Sequence, residues 1–135
     1  MRQICVLTIS LLSLTLIGCS TYHLSTQSLL DQFANTKPEI KRNIIFAFPI
    51  IFPGTVTGND LKQITCLDKN GKETVIQVTN HTGVRITKQD GSRKTFYFDT
   101  LLIKDSTING KKSHFIALDI TPINLNDIKK IELQR

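Results

Sequence analysis

From Leu61 onward the chain is punctuated at nearly even intervals by turn-forming residues, and this spacing constrains the fold more than any other feature. Asp68-Lys69-Asn70-Gly71, Asn80-His81-Thr82-Gly83, Gln89-Asp90-Gly91-Ser92, Asn109-Gly110 and Thr121-Pro122 separate short runs of strand-forming residues. The interval is about 8 to 12 residues, that of a small sandwich or barrel. The expected strands are Leu61–Leu67, Thr74–Val78, Val84–Thr87, Lys94–Phe98, Leu101–Lys104, His114–Ile120 and Lys130–Leu133. Asn-Gly and Asp-Gly pairs accept the positive φ angles that tight hairpins require. In the run around Phe96, alternation puts Phe96 and Phe98 on one face and Tyr97 on the other.

Two segments precede this region. Thr26 to Asn35 reads as a short helix, with Ser25 as N-cap and Leu29, Leu30 and Phe33 on one face, ended by Lys37-Pro38. A helix this short needs a surface to dock on. Ile44 to Phe52 follows as an almost unbroken apolar run, then Pro53-Gly54. Pro49 argues against a central strand throughout, so a strand to about Phe48 and an irregular apolar segment after it are expected. Such a run is either core or an exposed patch for a partner or membrane. Phe46, Phe48, Ile50, Ile51 and Phe52 are the candidate patch residues.

At the start of the chain, Arg2 precedes an apolar run, Ile4 to Ile17, that closes on Gly18-Cys19. A run of about 14 residues is short of the roughly 20 a spanning helix needs, and no positive cluster follows it. A signal peptide is therefore favoured over a retained anchor. Leu16-Ile17-Gly18-Cys19 resembles the lipobox of bacterial lipoproteins. The resemblance implies diacylglycerol on the Cys19 thiol, cleavage before Cys19 and acylation of the new amino group. Two or more acyl chains hold a protein stably on a membrane, where one does so only marginally. Ser20, in place of an Asp, implies the outer membrane under Gram-negative sorting rules. The first acidic residue after Cys19 is Asp31, which implies the leaflet facing the periplasm.

Val84-Arg85-Ile86-Thr87, Asp90-Gly91, Leu101-Leu102-Ile103-Lys104-Asp105 and Asp127-Ile128-Lys129-Lys130-Ile131-Glu132-Leu133 together resemble the SH3-like or Sm-like barrels of many envelope proteins. The resemblance implies a small antiparallel barrel in the C-terminal half. The whole chain also looks like small Gram-negative envelope lipoproteins, which carry no activity that could be transferred to it.

The remaining residues point away from several kinds of chemistry. Arg2 is the sole charged residue before Cys19, so 16 of the 17 basic residues remain against 11 acidic ones, about +5. That suits weak attraction to anionic head groups and falls short of a nucleic-acid signature. The basic residues gather near turns: Lys69 and Lys72, Lys88 with Arg93 and Lys94, Lys111 and Lys112. Either they guard hairpin edges or they form a face for anionic lipid. His23, His81 and His114 lack metal-ligand spacing. No nucleophile motif surrounds Cys66, the one thiol left once Cys5 is cleaved away and Cys19 lipidated, and it is expected to be buried and reduced. Asp99 and Asp105 are an ordinary pair flanking a strand.

The sequence thus leads to a mainly β chain, a small antiparallel barrel or sandwich preceded by one short N-terminal helix. Residues 1–18 are the expected signal peptide, 19–25 a lipidated tether reaching about 20 Å, and 26–135 a single domain. The expected role is that of a membrane-anchored, non-enzymatic envelope protein, structural or binding an envelope protein partner, with no cofactor, metal or nucleic acid. The alternative is a module that holds a small apolar or anionic ligand between the barrel and the apolar segment.

Overall fold

A computed structural model describes residues 20–47, 50–114 and 118–135, with the backbone alone at 41–47 and 50–54. The signal motif Leu16, Ile17, Gly18, the lipidation candidate Cys19, and Phe48 all lie outside the described residues.

Among the described residues the chain is mainly β and antiparallel, with one α-helix. Its principal sheet has six strands: β1 (Thr21–Leu24), β4 (Gln63–Leu67), β5 (Glu73–Gln77), β6 (Gly83–Lys88), β7 (Arg93–Tyr97) and β11 (Ile128–Gln134). They lie in the spatial order β5-β4-β1-β11-β6-β7. A three-stranded meander, β8 (Leu102–Lys104), β9 (Thr107–Asn109) and β10 (Ile123–Asn124), and a two-stranded ribbon, β2 (Pro38–Ala47) with β3 (Ile50–Asn59), complete the set. The sheets do not close into one barrel.

The two hairpins of the large sheet form where turn chemistry demands them. Gly71 and Gly91 take φ of +75° and +82°, where a Cβ would clash with the backbone. Asp68 Oδ1 accepts from the amides of Asn70 and Lys72, and Asp90 Oδ1 from the amide and hydroxyl of Ser92. These bonds and the Lys88 ammonium hold the Asp90 carboxyl far below the usual carboxylate range.

Register places one face of the sheet inward. Leu24, Ile131 and Ile86 form one cross-strand row, and Tyr22, Leu133, Val84 and Phe96 the next. Over these rows pack Leu29 and Phe33 of the helix α1 (Thr26–Phe33), with Phe98, Leu101, Ile108 and Ile123. The Phe33 and Phe98 rings meet edge to face at 5.8 Å, worth about 0.5–1.5 kcal/mol beyond burial. Ser25 Oγ caps α1 by accepting from the Ser28 amide, typically worth about 1 kcal/mol.

Four expectations need correction. Thr21–Leu24, expected within the tether, is strand β1 in the middle of the sheet, between β11 and β4. Four residues are too few to show a period. The neighbouring strands, rather than local propensity, impose the extended form. Ile50 to Phe52, expected to be irregular, begins β3, with Pro53 paired opposite Ile44. Proline is barred from central strands because it has no N–H, but each strand of a two-stranded ribbon keeps an open edge. The third hairpin turns at Asp105-Ser106, at φ 49° and 62°, and not at Asn109-Gly110. Gly110 is needed instead for close approach: a Cβ there would come within 2.4 Å of the Phe96 ring. Finally, His114, expected to open a return strand to Ile120, lies outside any strand; an isolated bridge joins Lys111 to Asp119, and 115–117 lie outside the described residues.

β1 pairs with β4 only at His23–Leu67, because the chain turns into α1 at Ser25. The vacated ladder position is filled by a side chain. Gln32 Nε2 donates to the Thr65 carbonyl at 2.9 Å, and the Thr65 amide donates to Gln32 Oε1 at 2.8 Å. The side-chain amide thus makes the pair of bonds that a strand peptide would make.

Candidate interaction site

The ribbon β2–β3 is the segment that the candidate patch residues build. Its register runs unbroken from Pro38–Asn59 at the root to Ala47–Ile50 at the far end. At about 3.3 Å per residue it extends roughly 30 Å. Its polar residues lie toward the root and its far end is wholly apolar. Near the root Glu39, Lys41, Arg42 and Asn43 on β2 pair with Gly58, Val56, Thr55 and Gly54 on β3, and the exposed Ile40 pairs with Thr57. The far end pairs Ile44 with Pro53, Ile45 with Phe52, Phe46 with Ile51 and Ala47 with Ile50. Phe46, Ile50, Ile51 and Phe52 are therefore brought together by register.

A sheet that packs one face on its own core alternates apolar with polar. Four consecutive all-apolar pairs do not alternate, so apolar residue types occupy the register positions of both faces. Among the described residues, neither β2 nor β3 pairs with a further strand.

The root is held firmly. Asn59 is fully buried; its Nδ2 donates to the carbonyls of Phe98 and Leu101, and its Oδ1 accepts from the Leu61 amide. Gly58 lies against the 3-10 turn Phe98–Thr100: a Cβ there would sit 2.0 Å from the Asp99 carbonyl oxygen. Val56 is buried while Thr55 and Thr57 are exposed, so the root leans one face on the body. The Lys37 amide donates to Asp60, and Lys62 pairs with Glu39 at 3.7 Å. That last pair is solvated and contributes little.

Two polar clusters lie elsewhere. His114 Nε2 reaches both oxygens of the buried Asp99, at 2.9 and 3.1 Å, and its ring stacks on Tyr97 with centroids 4.2 Å apart. Sequence reading missed this pair because fifteen residues and a turn separate its members. Asp105, the other carboxylate flanking the expected strand, stands in the β8–β9 turn. On the outer face, Glu132 accepts from Arg85 at 3.2 Å and Lys130 at 2.8 Å. The Lys130 ammonium is the chief influence holding its carboxyl below the usual range, aided by Arg85. Cys66 is buried, its Sγ directed at the Thr74 carbonyl, and burial pushes its thiol up. His23 is in β1 and His81 in a turn, so the three histidines stay separate. Among the described residues, no three His, Cys, Asp or Glu side chains gather as a metal site requires.

Beside the ribbon root, the cleft lined by Phe33, Thr36, Pro38, Asn59, Leu102 and Ile103 holds about 110 Å³. Sites for small molecules run from about 300 Å³ upward. A larger open groove, about 560 Å³, lies between the start of β1 and the β4–β5 turn. No described helix is long and apolar enough to cross a membrane. No family model, curated protein or solved structure matches the chain.

Proposed function

We propose that this chain is a lipid-anchored, non-enzymatic envelope protein, held through Cys19 in the outer membrane and facing the periplasm, whose β2–β3 ribbon inserts into a protein partner. The observation that carries the reading is the ribbon itself: two ten-residue strands paired, among the described residues, only with each other, rooted on the body by Gly58 and Asn59, apolar at every pair of the far end. The lipid on Cys19 follows from Leu16-Ile17-Gly18-Cys19.

A protein suits this ribbon better than a bilayer does. Both strands carry open edges, and an unpaired backbone N–H or C=O costs several kcal/mol in hydrocarbon. A protein can supply strands to those edges while covering both faces, as in β-augmentation. The small cleft at the root disfavours a ligand held between ribbon and body.

The test is capture from cells in mild detergent after in-cell cross-linking. The native chain should bring down a partner in constant ratio, and the double variant Phe46→Ser/Ile51→Ser should lose it while its unfolding temperature is unchanged. Equal capture by the variant would overturn the reading, as would salt-resistant binding of the ribbon to protein-free vesicles. Mass spectrometry of the N-terminal peptide should show an acylated Cys19.

A further inference from the structure

We infer that one particular end of the six-stranded sheet, the end where β1 starts, is the face that lies on the lipid leaflet, and that its groove receives anionic head groups. The inference rests on lipidation of Cys19 and adds the orientation that the fold then imposes.

Thr21, Gln134, Gly83 and Tyr97 form the last cross-strand row at this end. Beyond it, Ser20 is still tied to the body, its carbonyl accepting from the Arg135 amide at 3.4 Å. Consecutive Cα atoms are about 3.8 Å apart, so Cys19 lies one peptide before a hydrogen-bonded residue. A chain with no slack cannot turn the opposite end toward the membrane. That opposite end holds the Gln89–Ser92 turn, about six residues of strand away, or roughly 20 Å. The polar head-group layer is only about 5–7 Å deep on each side.

The chemistry at the near end suits that neighbour. The groove of about 560 Å³ opens where β1 and the β4–β5 turn diverge, lined by Ser20, Tyr22, His23, Lys69 and Thr74. Asp68 also lines it, but its Oδ1 is engaged by the amides of Asn70 and Lys72. Among the described residues, no ion pair takes up Lys69, Lys72 or Arg135. At the far end Lys88 is neutralised by Asp90, yet Arg93 and Lys129 are as free as Lys69. Charge alone therefore does not choose an end; the attachment of β1 does, and the near-end cations add a salt-sensitive component.

The full lipidated protein, reconstituted in vesicles of brominated phosphatidylcholine and phosphatidylglycerol, provides the test. A fluorophore is placed on Asn70→Cys, in the near turn, or on Arg93→Cys, at the far end. Buried Cys66 stays unlabelled. Quenching should be several-fold stronger from residue 70 than from residue 93, and should weaken in Lys69→Glu/Lys72→Glu or when phosphatidylglycerol is omitted. Stronger quenching from residue 93, equal quenching from both, or none from either while the N-terminal peptide carries its acyl mass would each overturn the orientation. Residue-70 quenching that ignores both the charge reversal and the lipid composition would overturn the head-group role of the groove. An N-terminal peptide without acyl chains would remove the anchor reading itself, a failure distinguishable from the others by its mass.

Discussion

At the residue scale, single side chains substitute for missing backbone. Gln32 closes the gap between β1 and β4 with two bonds to Thr65. Gln32→Ala leaves both Thr65 groups without those partners and should destabilise the fold by about 1–3 kcal/mol in thermal or urea unfolding. Gln32→Glu retains the acceptor but sets a charge against a carbonyl, and should be no better. A loss below about 0.5 kcal/mol would mean that water replaces the clamp. Glu132 makes a second prediction. Its carboxyl titrates lower in the folded chain than in the unfolded one. The stability it contributes is therefore fully present above the unfolded value, about 4.3, and is lost as pH falls through the folded value. The gap in unfolding temperature between the native chain and Glu132→Gln should be widest near neutrality and shrink in acid. A gap that is constant with pH would contradict it. Cys66, with its thiol raised by burial, should react with a bulky thiol reagent only on unfolding. Fast labelling of the native chain would place it elsewhere.

At the element scale, what the sequence discloses depends on how local the cause is. β4–β5 and β6–β7 were legible because Asn70-Gly71 and Asp90-Gly91 carry their own turn chemistry, and α1 because Ser25, Leu29 and Phe33 stand at cap and face positions. β1 was not, since Thr21-Tyr22-His23-Leu24 becomes a strand only between β11 and β4. Nor was the second strand of the ribbon: Pro49 and Pro53 break a central strand, and nothing local says that this one has an open edge. The candidate patch was legible as composition, whereas its pairing was not. Asp99 and His114 meet only after the 3-10 turn has formed. The ribbon root is testable at this scale. Gly58→Ala must move the Phe98–Thr100 turn away from the 2.0 Å contact, and should cost about 1–3 kcal/mol, as overpacking does. Removing residues 44–53 and joining the stubs by Asn-Gly should change body stability by less than about 1 kcal/mol. A larger loss would show that the far end supports the body.

At the scale of the whole molecule, the seat of β1 would turn the proposed anchor at Cys19 into an orientation. A flexible insert of about ten Gly and Ser residues between Cys19 and Ser20 spans roughly 17 Å and should equalise lipid quenching at residues 70 and 93 while leaving the fold and the anchor intact. Unchanged selectivity would mean that the near-end cations, and not the short attachment, set the pose.

The central pair of the sheet also governs when the fold can exist. β1 and β11 lie more than a hundred residues apart in sequence yet are hydrogen-bonded neighbours, Thr21 opposite Gln134. In the order β5-β4-β1-β11-β6-β7 they are the seam between two local hairpins. Without β11, those hairpins share no edge. Closing so long a loop is slow compared with forming a hairpin, and it requires β11. A protease that clips the final strand would split the sheet down its middle rather than fray its margin.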